Sequence, residues 1–411
     1  MSPPESTVDP GSAPRSANGS VLFVVFTTIL IDFIGFTVLI PVLPLYAARL
    51  NATPLQVGLI LTSYALAQLL FLPAWGWFSD QVGRRPVLLV SLFGTAASFV
   101  LLAAADSIEA IYVARSLAGF FAASIGTAQA VVTDVTPPAE RARGMGLIGA
   151  AFGAGMVVGP LLGGVLANVD AKLPFYAIAG LAIVNFGIGW FRLPETLAAR
   201  RKHAPRARDL LRSLIPAPIR LIAADHDRRT SLYLYLFLHL FTAFAVLESM
   251  ITLYLGKRFG AEELEIAGVF LVIGLVLAAT QGLLLKPLVM RFGEPRLVAI
   301  GMLIMSVSLG AVPALPTFGW FYALAPLVAL GNGLAFPSFT SLFSRVCDAG
   351  QAGELLAQSQ AMITTGRVVA PIGAGFLMEY WSLETPFQLA AVMMLAGLAI
   401  FLNRQSLLIG E

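Results

Sequence analysis

Four charged side chains stand inside stretches of sequence that are otherwise apolar: Asp32, Arg115, Glu248 and Arg367. An ionised group near the middle of a bilayer costs about 2.5–3.5 kcal/mol on insertion scales, so it faces an internal cavity or a partner. An acid at that depth can take up and release a proton. Arginine keeps its charge, so Arg115 would tune a nearby carboxyl rather than carry the proton. Nothing in the run around Asp32 neutralises it, which favours a site for a proton or a cationic group over a bond to a neighbouring helix. Glu248 reads as a second such acid, or as a rim charge near Lys257 and Arg258. Arg367 pairs with Glu248 or meets an anionic substrate. His239 can titrate near neutral pH, although a lone histidine in a helix is more often structural. With Gln129, Asn332 and Gln360 it completes the polar candidates for a cavity; Gln68 and Gln281 are of the same kind. Three histidines and the single Cys347 provide no metal cluster.

Whether these residues meet depends on the elements that carry them. Hydrophobic residues make up 58% of the 411 and charged residues 12%, about half the charge of a soluble domain. The chain therefore reads as a polytopic membrane protein with room for a dozen spans of roughly 20 residues. Its formal charge of +3 carries no nucleic-acid signal once mapped. Of 26 Lys and Arg, Arg49, Lys172, Lys257 and Arg258 fall on one side, Arg115 and Arg367 lie within spans, and the other 20 lie on the opposite side. That asymmetry is the positive-inside rule.

In order, residues 1–20 read as a disordered tail rich in Pro, Ser, Gly and Ala. Six spans are expected within 21–199, at roughly 21–46, 54–76, 86–105, 108–133, 144–168 and 173–192. Residues 200–230 read as a basic linker, with nine Lys and Arg against Asp209, Asp225 and Asp227. Six more spans are expected within 231–405, at roughly 231–255, 264–289, 297–313, 317–343, 355–379 and 387–403, then a tail at 406–411. Both termini fall on the basic side. The 28 Phe and 11 Met read as lipid-facing and packing surface rather than as an aromatic pocket.

Between the second and third spans stands Gly76-Trp77-Phe78-Ser79-Asp80-Gln81-Val82-Gly83-Arg84-Arg85-Pro86. Gly83 permits the positive φ that so short a turn needs, and Asp80 and Arg84 are spaced to pair. A weaker copy, Gly293-Glu294-Pro295-Arg296, follows at an offset of 210, with Met290 where Asp80 maps. Gly159-Pro160 is answered by Ala370-Pro371 and Gly164 by Gly375, at an offset of 211. Two distant places with matching offsets argue for a duplication of a six-span half.

The stretch from Gly76 resembles motif A of the major facilitator superfamily, G-x-x-x-D-x-x-G-R-(R/K), in which Gly76, Asp80, Gly83, Arg84 and Arg85 fit residue for residue. Arg115-Ser116-Leu117-Ala118-Gly119 is similar to motif B. Gly155, Gly159, Pro160, Gly163 and Gly164 fit motif C, a fifth-helix signature of exporters. Asp32 through Pro44 resembles the first helix of twelve-helix drug/proton antiporters, tetracycline exporters among them. The resemblance covers about residues 21–405 and implies an all-α fold of two pseudo-symmetric six-helix halves. It implies a proton-coupled exporter working by alternating access, with Asp32 and Arg115 in coupling, to which Glu248 is added as the second buried acid, and a latch of Asp80, Arg84 and Asp134 on the basic face. The proton gradient would be the energy source, with no cofactor. The chain would work as a monomer in a bacterial inner membrane with its termini in the cytoplasm.

Two other readings stay open at this point. One is transport of an endogenous compound such as a siderophore, iron chelate or metabolite, which Arg367 and the Ala370 departure favour. The other is a non-transporting member of the fold. An enzyme is disfavoured, since no G-x-S-x-G or H-E-x-x-H motif or phosphate-cradling loop is found.

Overall fold

The structure, a computed structural model, describes residues 19–122, 124–136, 141–197, 228–346 and 352–409. Most of the expected linker at 200–230 and most of the tail at 1–20 lie outside the described residues; residues 228–230 belong instead to the helix of the seventh span. Twelve helical stretches among the described residues are long and apolar enough to cross a membrane. In hydrocarbon a spanning segment must satisfy its own backbone, so apolar runs of this length become helices.

The first six spans are α1 (Gly19–Arg49), α2 (Pro54–Val82), α3 (Arg84–Ala103), the pair α4 (Ile108–Phe121) and α5 (Ser124–Val135), α6 (Arg141–Ala167) and α7 (Leu173–Arg192). The second six begin with α8 (Arg228–Phe259), then α9 (Glu263–Ala279), which continues through a π turn at Thr280–Leu284 into α10 (Leu285–Phe292). They end with α11 (Glu294–Ala311), α12 (Phe321–Val346), α13 (Ala352–Tyr380) and α14 (Thr385–Asn403). A short α15 (Gln405–Ile409) follows, within the expected tail. Leu408 is buried, and its carbonyl accepts from Arg229 and Tyr233.

The boundaries follow local chemistry. Thr53 caps α2 in a reciprocal box with Gln56, and Pro54 occupies the first turn, where a missing N–H costs nothing. Gly83 and Gly293 take φ of +122° and +76° at equivalent turns, so the repeat seen in sequence is also a repeat of backbone. The fourth span, expected as one helix, breaks after Phe121. The carbonyls freed there accept side-chain donors instead: Trp75 Nε1 to Phe120 O at 2.5 Å and Ser91 Oγ to Phe121 O at 2.5 Å.

Helix pairing repeats between halves. In the first half α1 packs on α6, α2 on α4 and α3 on α7; in the second α8 packs on α13, α9 on α12 and α11 on α14. The halves meet along two equivalent seams, α2 with α13 and α6 with α9. At one, Gly375 lies against Pro54 O and Leu55; at the other, Gly164 lies against Ala267 and Glu263 O. These are the two residues that the offset of 211 relates. Both seams lie toward the face of Arg49 and Lys257, opposite the basic face, and are tied by Thr62 Oγ1 to Val368 O (2.9 Å), Leu55 N to Glu379 Oε2 (3.0 Å) and Arg49 Nη2 to Glu263 Oε1 (2.6 Å). Toward the basic face the helices diverge: a β-carbon built at Gly149, Gly153 or Gly282 meets no atom within 4 Å.

Candidate functional site

The mid-membrane charges converge on three adjoining compartments between the halves. The largest, about 360 Å³, is lined by Glu248, Arg367, Asn332 and Gln281 among apolar side chains. Seven of those are Phe33, Phe152, Phe241, Phe244, Phe270, Phe321 and Phe336, so part of the phenylalanine content read as packing surface is a cavity wall. A second compartment, about 70 Å³, carries Tyr64, Gln68, Arg115, Glu248 and Arg367. The third, about 60 Å³, carries Asp32, Tyr64, Gln68, Arg115 and Arg367. Arg367 borders all three.

Each charge is positioned by packing rather than by a dense hydrogen-bond net. Arg115 is buried in α4, its guanidinium 4.4 Å from the centre of the Tyr64 ring. That approach depends on Gly119 one turn on, where a β-carbon would fall on the carbonyl of Tyr64. The Arg367 guanidinium lies 5.2 Å from the ring centres of both Phe36 and Phe241, a cation–π setting. It stands 3.9 Å from Glu248 Oε1. Glu248 is thus a cavity residue rather than a rim charge, while Arg258 pairs with Glu384 at 2.5 Å.

Other candidates lie elsewhere. His239 stacks on Tyr235 and contacts Met393 O at 2.5 Å, between α8 and α14. Gln129 and Gln360 are exposed and line none of the three compartments. Tyr64, which touches both Arg115 and the Asp32 compartment, was missed; the signal was a lone phenol midway along an apolar span.

The glycines of α6 that fit motif C serve close contact. A β-carbon at Gly155 would meet Phe33, at Gly159 Thr37, and at Gly163 Val38 O. The spacing of four puts all three on one stripe of α6 against α1, and Thr37 Oγ1 donates to Gly155 O at 2.8 Å. Pro160 lies inside this helix. This contact holds the α1 segment that bears Asp32.

At the basic face, Arg84 pairs with Asp80 (2.7 Å) and Asp134 (3.3 Å). Glu195, after α7, accepts from the backbone N–H of Arg84 (2.9 Å) and Arg85 (3.3 Å), capping α3 where Gly83 leaves no side chain to do so. The Arg85 side chain donates to Trp190 O. Gly76 has open space beside it. The second half holds the mirror cluster with reversed charge: Glu294, in the place of Arg84, accepts from Ser341 (2.7 Å) and Arg345 (2.8 Å).

Two pseudo-repeated halves, joined at seams on one face and enclosing ionisable groups at mid-membrane, define a secondary transporter that carries small molecules across a membrane. The profile of the Major Facilitator Superfamily matches residues 25–285 and 274–406, and the chain belongs to that family. It is 28% identical over 366 residues to the class C tetracycline resistance protein of Escherichia coli, covering 86% of this chain and 89% of that one. It is 30% identical over 413 residues to major facilitator superfamily domain-containing protein 10 of Bos taurus, covering 88% and 87%. The crystal structure of the human organic anion transporter MFSD10 shares the fold, with a TM-score of 0.70 at 23% identity over 95% of this chain and 100% of that one.

Proposed function

We propose that the chain exports a small, largely apolar molecule in exchange for protons, alternating between a state sealed at the seams and one sealed at the basic face. The observation that carries this is contiguity. The compartment of Asp32 and Arg115 shares Phe33 and Arg367 with the phenylalanine-lined cavity, so a proton on Asp32 and a molecule in the cavity affect one another electrostatically. Asp32 carries the exchanged proton, Arg115 stabilises its ionised form, and Glu248 is a second coupling acid. The Asp80–Arg84–Asp134 cluster acts as the latch that holds the basic face. Similarity to tetracycline resistance proteins supports export. The basic face is the cytoplasmic one by the positive-inside rule, with both termini in the cytoplasm; similarity to a tetracycline resistance protein of Escherichia coli supports a bacterial inner membrane. It works as a monomer, needs no cofactor beyond the proton gradient, and catalyses no covalent chemistry.

Arg367 favours a second reading, transport of an endogenous compound with an anionic group, such as a siderophore, iron chelate or metabolite; similarity to a protein titled an organic anion transporter is consistent with it. Energised inverted membrane vesicles test the leading reading. A compound that dissipates the pH gradient with the parent and not with Asp32→Asn supports exchange at Asp32. Equal responses from both proteins remove Asp32 from the path.

A further inference from the structure

We propose that Arg367 anchors a carboxylate on the transported molecule, and that Glu248 is the resident acid which that carboxylate displaces. The inference rests on the transporter reading and names its substrate class. Arg367 is held in place yet barely engaged. Two phenylalanine rings flank its guanidinium, and its one ion pair, at 3.9 Å, is too long for a hydrogen bond. Arg367 Nε and Glu248 Oε1 are both buried without a hydrogen-bond partner among the described residues, an expensive condition for charged groups. Arg229 spends its donors on Leu408 O, and Arg84 on Ser79, Asp80 and Asp134; Arg115, whose Nε is likewise buried without a partner among the described residues, lies against the Tyr64 ring. A planar carboxylate offers the guanidinium two parallel charge-assisted bonds in place of one loose pair.

Relative exposure favours an anion over a cation. The Arg367 side chain is 32% exposed and that of Glu248 12%, so an entering group meets the guanidinium first. The phenylalanine-lined space beside it suits an aromatic body. The charged and titratable groups that share a compartment with Glu248 are Arg367, Arg115 and the Tyr64 phenol. Once a foreign carboxylate takes Arg367, the Glu248 carboxylate sits among apolar walls without its cation, so a neutral amide in its place favours the anion.

Equilibrium binding to the purified full-length protein in nanodiscs tests this, using naphthoate, naphthamide and naphthylmethylamine as probes. The parent should bind naphthoate about tenfold or more tighter than naphthamide, as one good charge-assisted contact provides. Arg367→Gln should abolish the preference while keeping naphthamide binding, which also reports that the variant is folded. Glu248→Gln should tighten naphthoate binding. Tightest binding of the amine, equal binding of acid and amide, loss of naphthoate binding in Glu248→Gln, or no binding of any probe by folded parent overturns the proposal. Should naphthoate bind as expected yet never cross a reconstituted membrane, the transporter reading fails and the site stands. Should other compounds be transported while naphthoate does not bind, the site fails and the transporter reading stands.

Discussion

Gly58 lies where the two halves touch, and adding one methyl group there acts on a single conformation. A β-carbon at Gly58 would fall on the carbonyl of Pro371 in α13. The obstacle is helix backbone, which cannot rotate aside as a side chain does. Relief requires α2 and α13 to separate, which is the motion that opens this face. Overpacking of this kind costs about 1–3 kcal/mol, levied only on the state with closed seams. The population ratio should therefore move by roughly 5–150-fold toward the state open at this face. Spin labels at Val169 and Trp381, exposed by 76% and 72% beyond the ends of α6 and α13, report the separation by pulsed electron resonance, with Cys347 replaced by Ser. Gly58→Ala should add or enlarge a long-distance population. Gly119→Ala is the control, because its methyl would meet Tyr64 O within the first half; it should lower thermal stability and leave the distances alone. A folded Gly58→Ala protein with the parent's distances, or a control that shifts them equally, would refute the seam as the moving part.

Three other outcomes are expected. Thr37→Val removes the 2.8 Å hydrogen bond to Gly155 O and should cost about 0.5–1.5 kcal/mol, read as a lowered midpoint of thermal unfolding in detergent. Glu195→Ala uncaps α3 and should cost about 0.5–2 kcal/mol, with faster hydrogen exchange at the amides of Arg84 and Arg85. The hydrogen bond to Asp106 (2.5 Å) holds the Lys172 proton above the usual 10.5. A raised value in the folded protein means a contribution fully present below 10.5 and lost as pH climbs through the folded value. The small stability gap between parent and Asp106→Asn should accordingly vanish in strong alkali, followed by thermal unfolding across that range.

Apolar run length and loop charge were enough to read the spans, because a bilayer forces that length and turns it into helix. The duplication was legible too: the offset of 211 relates Gly164 to Gly375, and each glycine closes one seam. What hydropathy could not give was helix rotation. Spans apolar on every side carry no moment that says which residue faces inward, so His239, Gln129 and Gln360 looked as eligible as Asn332, which alone of these four lines the cavity. The same blindness hid Tyr64 and the phenylalanine wall. The reversed cluster at Glu294 and Arg345 is invisible to a same-sign repeat, which puts Met290 at the acid's place, because the pairing is preserved with its charges exchanged. The break after Phe121 had no proline to announce it; it is stabilised by Trp75 and Ser91, which are distant in sequence.

Proton movement by the purified protein in liposomes tests the central claim most directly. A compound that is transported should drive protons in the opposite direction, reported by a trapped pH dye, and reversing its gradient should reverse them. Asp32→Asn should still exchange labelled for unlabelled compound while moving no protons. Transport by the parent without proton movement, or proton movement by Asp32→Asn equal to the parent's, would contradict exchange at Asp32.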